Sequence, residues 1–166
     1  RTLAGDGTIV ARVASIQNVN AWTKAGVMMR SSISASASHG FMLVAASSSK
    51  GAPFQPRTAN GGASTSTAGP LVTAPYWVKL VRAGNLVTGY ASANGSTWTT
   101  IGSDTIAMGS SILVGLAVSS HVSGTNATAT FDNVTVTAVN PPPNTPPALT
   151  LTSPTNTRIS TAPEKK

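Results

Sequence analysis

The chain has no cysteine, which excludes disulfides and thiolate metal sites as sources of stability and leaves the fold to a packed core. That absence suits a secreted bacterial protein as well as a cytosolic one. Charge is scarce, at 9% of 166 residues, against about a quarter in an ordinary globular domain. Acids are scarcest, with four Asp and Glu against eleven Lys and Arg, for a net charge of +7. A glycosidase normally needs two carboxylates flanking the bond it cleaves. Asp6, Asp104, Asp132 and Glu164 are too few to suggest a hydrolase. The cations form no run except Lys165-Lys166, and tracking phosphates requires cations clustered on one face, so nucleic acid is not an expected partner. No apolar run approaches the ~20 residues that span a bilayer. The opening RTLAGDG lacks the apolar segment of a signal peptide, so an export signal would lie upstream of this chain.

What is present is Ser, Thr, Gly, Ala and Asn in quantity, with 40% hydrophobic residues. That composition favours short strands and hydroxylated loops over helix, and the hydrophobic share suffices for one core. The organising stretch is 76–98, YWVKLVRAGNLVTGYASANGSTW. Residues 76–82 and 86–92 alternate apolar and polar around Ala83-Gly84-Asn85, which predicts a hairpin. The Asn94-Gly95 turn then returns the chain as a third strand over 97–101. Three strands with one apolar face need a second layer, and the rest of the chain supplies its strands.

Residues 8–16 place Ile9, Ala11 and Val13 on one face, and 24–30 place Val27 and Met29 on one face with Met28 and Arg30 on the other. SSISASAS at 31–38 reads as a loop, and HGFMLVAA at 39–46 is apolar on both faces, as a central strand would be. Residues 53–58 are extended, with Gln55 and Arg57 on one side and prolines that keep the segment at an edge. The loop at 59–73 is expected at a binding-site rim. In 111–121, Ile112, Val114, Leu116 and Val118 are expected to face the core. The opposite row of Leu113, Gly115, Ala117 and Ser119 becomes small towards its end, which leaves room above the sheet. Residues 127–139 form the closing strand, with an irregularity at Asp132-Asn133. NPPPNTPP at 140–147 predicts a stiff linker, and ALTLTS at 148–153 a strand opening a further domain over 148–166. The fold class expected is an all-β antiparallel sandwich over 1–139.

Arg30, Gln55 and Arg57 are the first candidates for ligand contact, because planar guanidinium forks suit adjacent sugar hydroxyls or carboxylates. Trp22, Tyr76, Trp77 and Trp98 could offer a flat ring to a sugar face, Trp77 in particular because it alternates away from Val78 and Leu80 and sits beside Lys79, and His39 completes the candidate set. Trp98 is expected to pack in the core, because its ANGSTW turn resembles the Asp-box turn of sialidase-like repeats, whose aromatic is structural. Asp6 and Asp132 could jointly hold a Ca²⁺, an ion satisfied by six to eight oxygens, although no DxDxDG loop is present. A relay of Ser120, His121 and Asp132 has no supporting spacing or nucleophile elbow.

GDGTIVARV, KAGVMMR, FQPRT, PYWVKLVR, the ANGSTW turn, VGLAVSSH and ATFDNVTV, in that order, resemble the concanavalin A-like sandwich modules of the DUF1349 type over about 1–139. The tail ALTLTSPTNTRISTAPE resembles the opening of bacterial immunoglobulin-like repeats. The resemblance implies a jelly-roll, non-catalytic accessory module of an exported, extracellular bacterial protein. Such a module binds polysaccharide and holds an attached catalytic domain near it, and structural Ca²⁺ occurs in similar modules. A structural or adhesive spacer without a sugar site is the alternative. Members of the family carry two or more strands before the GDGT segment, so a longer polypeptide, seen as an intact mass above 16.7 kDa, is the expectation.

Overall fold

The computed structural model describes residues 1–139, and the regular elements among them are all β-strands. The expected linker and further domain, residues 140–166, lie outside the described residues. In chain order the strands are β1 Thr2–Ala4, β2 Asp6–Ile16, β3 Lys24–Arg30, β4 His39–Ala45, β5 Phe54–Arg57, β6 Tyr76–Ala83, β7 Leu86–Ser92, β8 Thr99–Thr105, β9 Ser111–Ser119 and β10 Ala129–Val139. They form two antiparallel sheets of five, a front sheet ordered β1-β9-β3-β4-β5 and a back sheet ordered β10-β2-β6-β7-β8. The described residues form an all-β sandwich.

The core follows the alternation in the sequence. Ile9, Ala11 and Val13 of β2 and Val78 and Leu80 of β6 meet Val27 and Met29 of β3 and Met42 and Val44 of β4. β4 is buried on both faces, with Phe41 and Leu43 opposite the core row, and it lies between β3 and β5. β5 is an edge strand of its sheet, as its prolines require. Residues 65–67 run along its free side, where Phe54 N donates to Thr67 O at 3.0 Å and Thr67 N returns a bond to Phe54 O at 2.9 Å. The segment read as a rim therefore also protects this edge.

Arg82 is 4% exposed on the core-facing row of β6. Its Nε donates to Gly84 O at 2.8 Å, its Nη1 to Gly5 O at 3.2 Å and its Nη2 to Gly109 O. One guanidinium thus ties the β1–β2, β6–β7 and β8–β9 connections at one end of the sandwich, using the fixed fork that makes Arg suited to several acceptors.

Three details differ from the sequence reading. β1 was not anticipated, because Thr2–Ala4 is too short to show a period; Leu3 is nonetheless buried, and Gly5 turns the chain at φ 69. β8 extends to Thr105, past the expected end at Ile101. Leu116 and Val118, expected in the core, are 45% and 42% exposed, whereas Ile112 and Val114 are buried. β1 pairs only with Ser111–Leu113, so the distal half of β9 lies at the margin of the sandwich with β3 as its single described neighbour. The irregularity expected in the closing strand is present: register shifts between Asp132 and Thr135, with Asn133 at φ 51.

Candidate functional site: the outer face of the front sheet

Because side chains alternate along a strand, the residues between the core positions of the front sheet share its outer face. Pairing aligns them in rows. Leu113, Arg30, His39 and Arg57 are successive cross-strand partners on β9, β3, β4 and β5. The next row is Gly115, Met28, Phe41 and Gln55, then Ala117, Gly26 and Leu43, then Ser119, Lys24 and Ala45. Arg30, His39, Gln55 and Arg57, four of the five ligand candidates read from sequence, therefore stand on one surface.

At one end of this surface the two arginines brace the 31–38 loop. Arg30 Nη2 donates to Ser34 O, and Arg57 Nη1 donates to Ala35 O at 2.7 Å. Asn60 Oδ1 accepts from Ser38 N at 2.8 Å, tying the 59–73 segment to the same loop. The Nε of each arginine is buried without a partner among the described residues. Between them, His39 Nδ1 lies 3.2 Å from Ala37 O. Burial, and then the positive charge of Arg57 and Arg30, push the His39 imidazole below its ordinary 6.5, against a raising effect of the Ala37 bond.

The small row on β9 leaves the room expected of it. A depression of about 160 Å³ is lined by Met28, Arg30 and residues 113–117 of β9. A Cβ added at Gly115 would meet nothing within 4 Å. Farther along, Lys24 Nζ donates to Gln55 Oε1 at 3.2 Å, and Gln55 Nε2 donates to Ser66 Oγ at 3.4 Å. Burial pushes the Lys24 ammonium below its ordinary 10.5. Trp22 closes this end, with Lys50 Nζ 5.0 Å and Lys24 Nζ 5.8 Å from its ring centroid and His121 beside it at 6.4 Å. Sequence reading offered Trp22 only as one aromatic among several; its position depends on a loop that no periodicity describes.

Trp77 is not part of this surface. It lies on β6 of the back sheet, paired with Arg12 and Ser92, and its ring packs on Gly95 so closely that an added Cβ would sit 2.7 Å from it. Trp98 likewise leaves the core: its ring lies 4.1 Å from Lys79 Nζ, which is 4.5 Å from the Tyr90 ring on its other contact. The ANGSTW turn is held by polar bonds instead. Asn94 Oδ1 accepts from Ser96 N and Thr97 N, both at 2.9 Å, and Ser92 Oγ accepts from Gly95 N at 2.9 Å.

The carboxylates expected to share Ca²⁺ stand apart. Asp6 lies on β2 and Asp132 pairs with Arg12, six residues along the same strand, a separation of about 20 Å at the rise of an extended chain. Each already serves another group: Asp6 Oδ1 accepts from Gly84 N at 2.7 Å, and Asp132 Oδ2 accepts from Arg12 Nη1 at 2.8 Å. No group of three or more candidate metal ligands occurs among the described residues. Ser120 Oγ donates to Val122 O at 2.9 Å, while Asp132 belongs to the back sheet, so these two are not joined through His121.

No family model and no curated protein matches the chain. Solved structures do. A functionally unknown protein from Saccharomyces cerevisiae superposes with a TM-score of 0.64 at 16% identity, over 85% of this chain and 74% of that one. A mutant of the GH43 protein BlXynB from Bacillus licheniformis gives a TM-score of 0.65 at 16% identity, over 81% of this chain but only 28% of that one. Unmutated BlXynB gives 0.59 at 17% identity. At these identities the likeness is one of fold, a sandwich that spans little more than a quarter of the Bacillus chain.

Proposed function

We propose that this chain is a carbohydrate-binding module of the concanavalin A-like type, non-catalytic itself, that tethers a larger exported protein to polysaccharide. The observation that carries this reading is the gathering of Arg30, His39, Gln55 and Arg57 with an open depression on one sheet face. Guanidinium and amide donors in fixed positions suit ring hydroxyls, and a charge-assisted hydrogen bond contributes about 1.5–3 kcal/mol. The fold likeness to 28% of a longer GH43 chain supports a module within a multidomain protein. The role of such a module is effective concentration. Among the described residues the carboxylates are Asp6, Asp104 and Asp132, dispersed over β2, β8 and β10 of the back sheet. This dispersal supports a role without glycosidic bond cleavage.

A spacer without a sugar site is the competing reading, favoured by the loop carbonyls that already occupy both arginines. Gly115→Leu decides between them. A Cβ there meets nothing within 4 Å and the longer side chain extends into the open depression lined by Met28 and Arg30, so the melting temperature is expected to change little. Loss of retention on insoluble polysaccharides supports the binding face, whereas absence of retention by the unsubstituted protein supports the spacer.

A further inference from the structure

The candidate face carries charge of one sign. No Asp or Glu occurs between Asp6 and Asp104, and neither β9 nor the 120–128 loop that follows it contains one. The front sheet and its connecting loops are therefore free of carboxylates. Lys24, Arg30, His39 and Arg57 stand on its outer face, with Lys50 beside them at Trp22. The one ion pair among the described residues, Arg12 to Asp132, belongs to the back sheet.

The two guanidinium groups are held by carbonyl dipoles, and no carboxylate among the described residues neutralises either one. Each retains a buried Nε without a partner among the described residues. Cations crowded and partly desolvated without a counterion are costly, and an anion placed among them relieves that cost. Arg30 and Arg57 flank His39 from the strands on either side, about 10 Å apart at the ordinary strand spacing. Lys24, six residues from Arg30 along β3, extends the positive face by about 20 Å. A chain with repeating negative groups can meet both ends.

Resting on the carbohydrate-binding reading, we infer that the ligand is an anionic glycan, whose carboxylates or sulfates are received by the Arg30–Arg57 end of the face and by Lys24. Neutral polysaccharide would use the same hydroxyl contacts and leave the cations uncompensated.

Matched pairs of glycans test this, because they hold the sugar constant and change the charge. Polygalacturonate is compared with its fully methyl-esterified form, and a sulfated galactan with its desulfated form, by affinity electrophoresis and calorimetry at about 0.15 M salt. The expected result is affinity at least about tenfold higher for one charged member than for its neutral partner. The Arg30→Gln/Arg57→Gln double variant, checked for fold by circular dichroism, should erase that ratio; should it not fold, Lys24→Gln should reduce it. The arm that responds tells carboxylate from sulfate. Equal affinity for charged and neutral members overturns the inference and leaves the carbohydrate-binding reading in place. No affinity for any glycan overturns both. Equal binding of polyphosphate also overturns the inference, since charge alone would then suffice.

Discussion

Lys24 Nζ donates to Gln55 Oε1 at 3.2 Å, from β3 to β5 across the intervening strand. Lys24 is opposite Ala45 and Gln55 is opposite Phe41, so the bond passes over Leu43, which is fully buried on the outer face. Two polar side chains thus roof an apolar one, and the lysine stem supplies cover as well as charge.

This strut should be measurable as a coupling. Lys24→Ala and Gln55→Ala are each expected to destabilise by up to about 1 kcal/mol, with a coupling of roughly 0.5–1 kcal/mol in a double-mutant cycle followed by urea unfolding. Full additivity would mean that the bond contributes nothing to the native state.

Two glycines separate backbone strain from steric clash. Gly84 and Gly95 both have positive φ, 60 and 74, but a Cβ meets open space at Gly84 and the Trp77 ring at 2.7 Å at Gly95. Gly84→Ala should cost about 1–2 kcal/mol for the left-handed backbone alone. Gly95→Ala adds an overpacking cost of about 1–3 kcal/mol and should shift tryptophan fluorescence, which Gly84→Ala should not. Equal losses would show that Trp77 swings away freely.

Arg82 offers a third test. Arg82→Met keeps the buried stem and removes the donors to Gly5, Gly84 and Gly109, leaving carbonyls unsatisfied at about 1–3 kcal/mol for each that water cannot reach. A loss of about 2–4 kcal/mol in chemical denaturation is expected. Arg82→Lys should recover little of it, because a single ammonium cannot span three turns.

The strands were legible because the chain alternates with period two wherever one face is buried, and the hairpin at Gly84 and the break at Asn133 carry turn chemistry that reads locally. That Arg30, Gln55 and Arg57 each face away from the core was legible from parity, since each falls on the row opposite a core row. What parity cannot tell is which sheet a strand joins. Trp77 has the correct outward parity and belongs to the other sheet. Leu116 has inward parity and lies beyond the cover of its neighbours. Asp6 and Asp132 share a strand pair but not a place along it. Each of these depends on long-range pairing, which spacing in sequence does not encode.

His39 gives the face a pH dependence whose sign is fixed. Burial first, and then Arg57 and Arg30, hold its pKa below 6.5 in the folded protein, so below 6.5 the unfolded chain takes up the proton more readily. Stability should therefore be unaffected above 6.5, fall as pH drops from there toward the folded pKa, and level off below the folded pKa. Urea unfolding from about pH 7.5 to pH 5 should show this slope, and His39→Gln should remove it. An anion seated between the arginines reverses the electrostatic part of the shift. Binding of a sulfated glycan, whose charge does not titrate here, should then take up a proton and tighten as the pH falls. Calorimetry in two buffers of different ionisation enthalpy reads that proton directly, and an identical heat in both buffers would place the ligand away from His39.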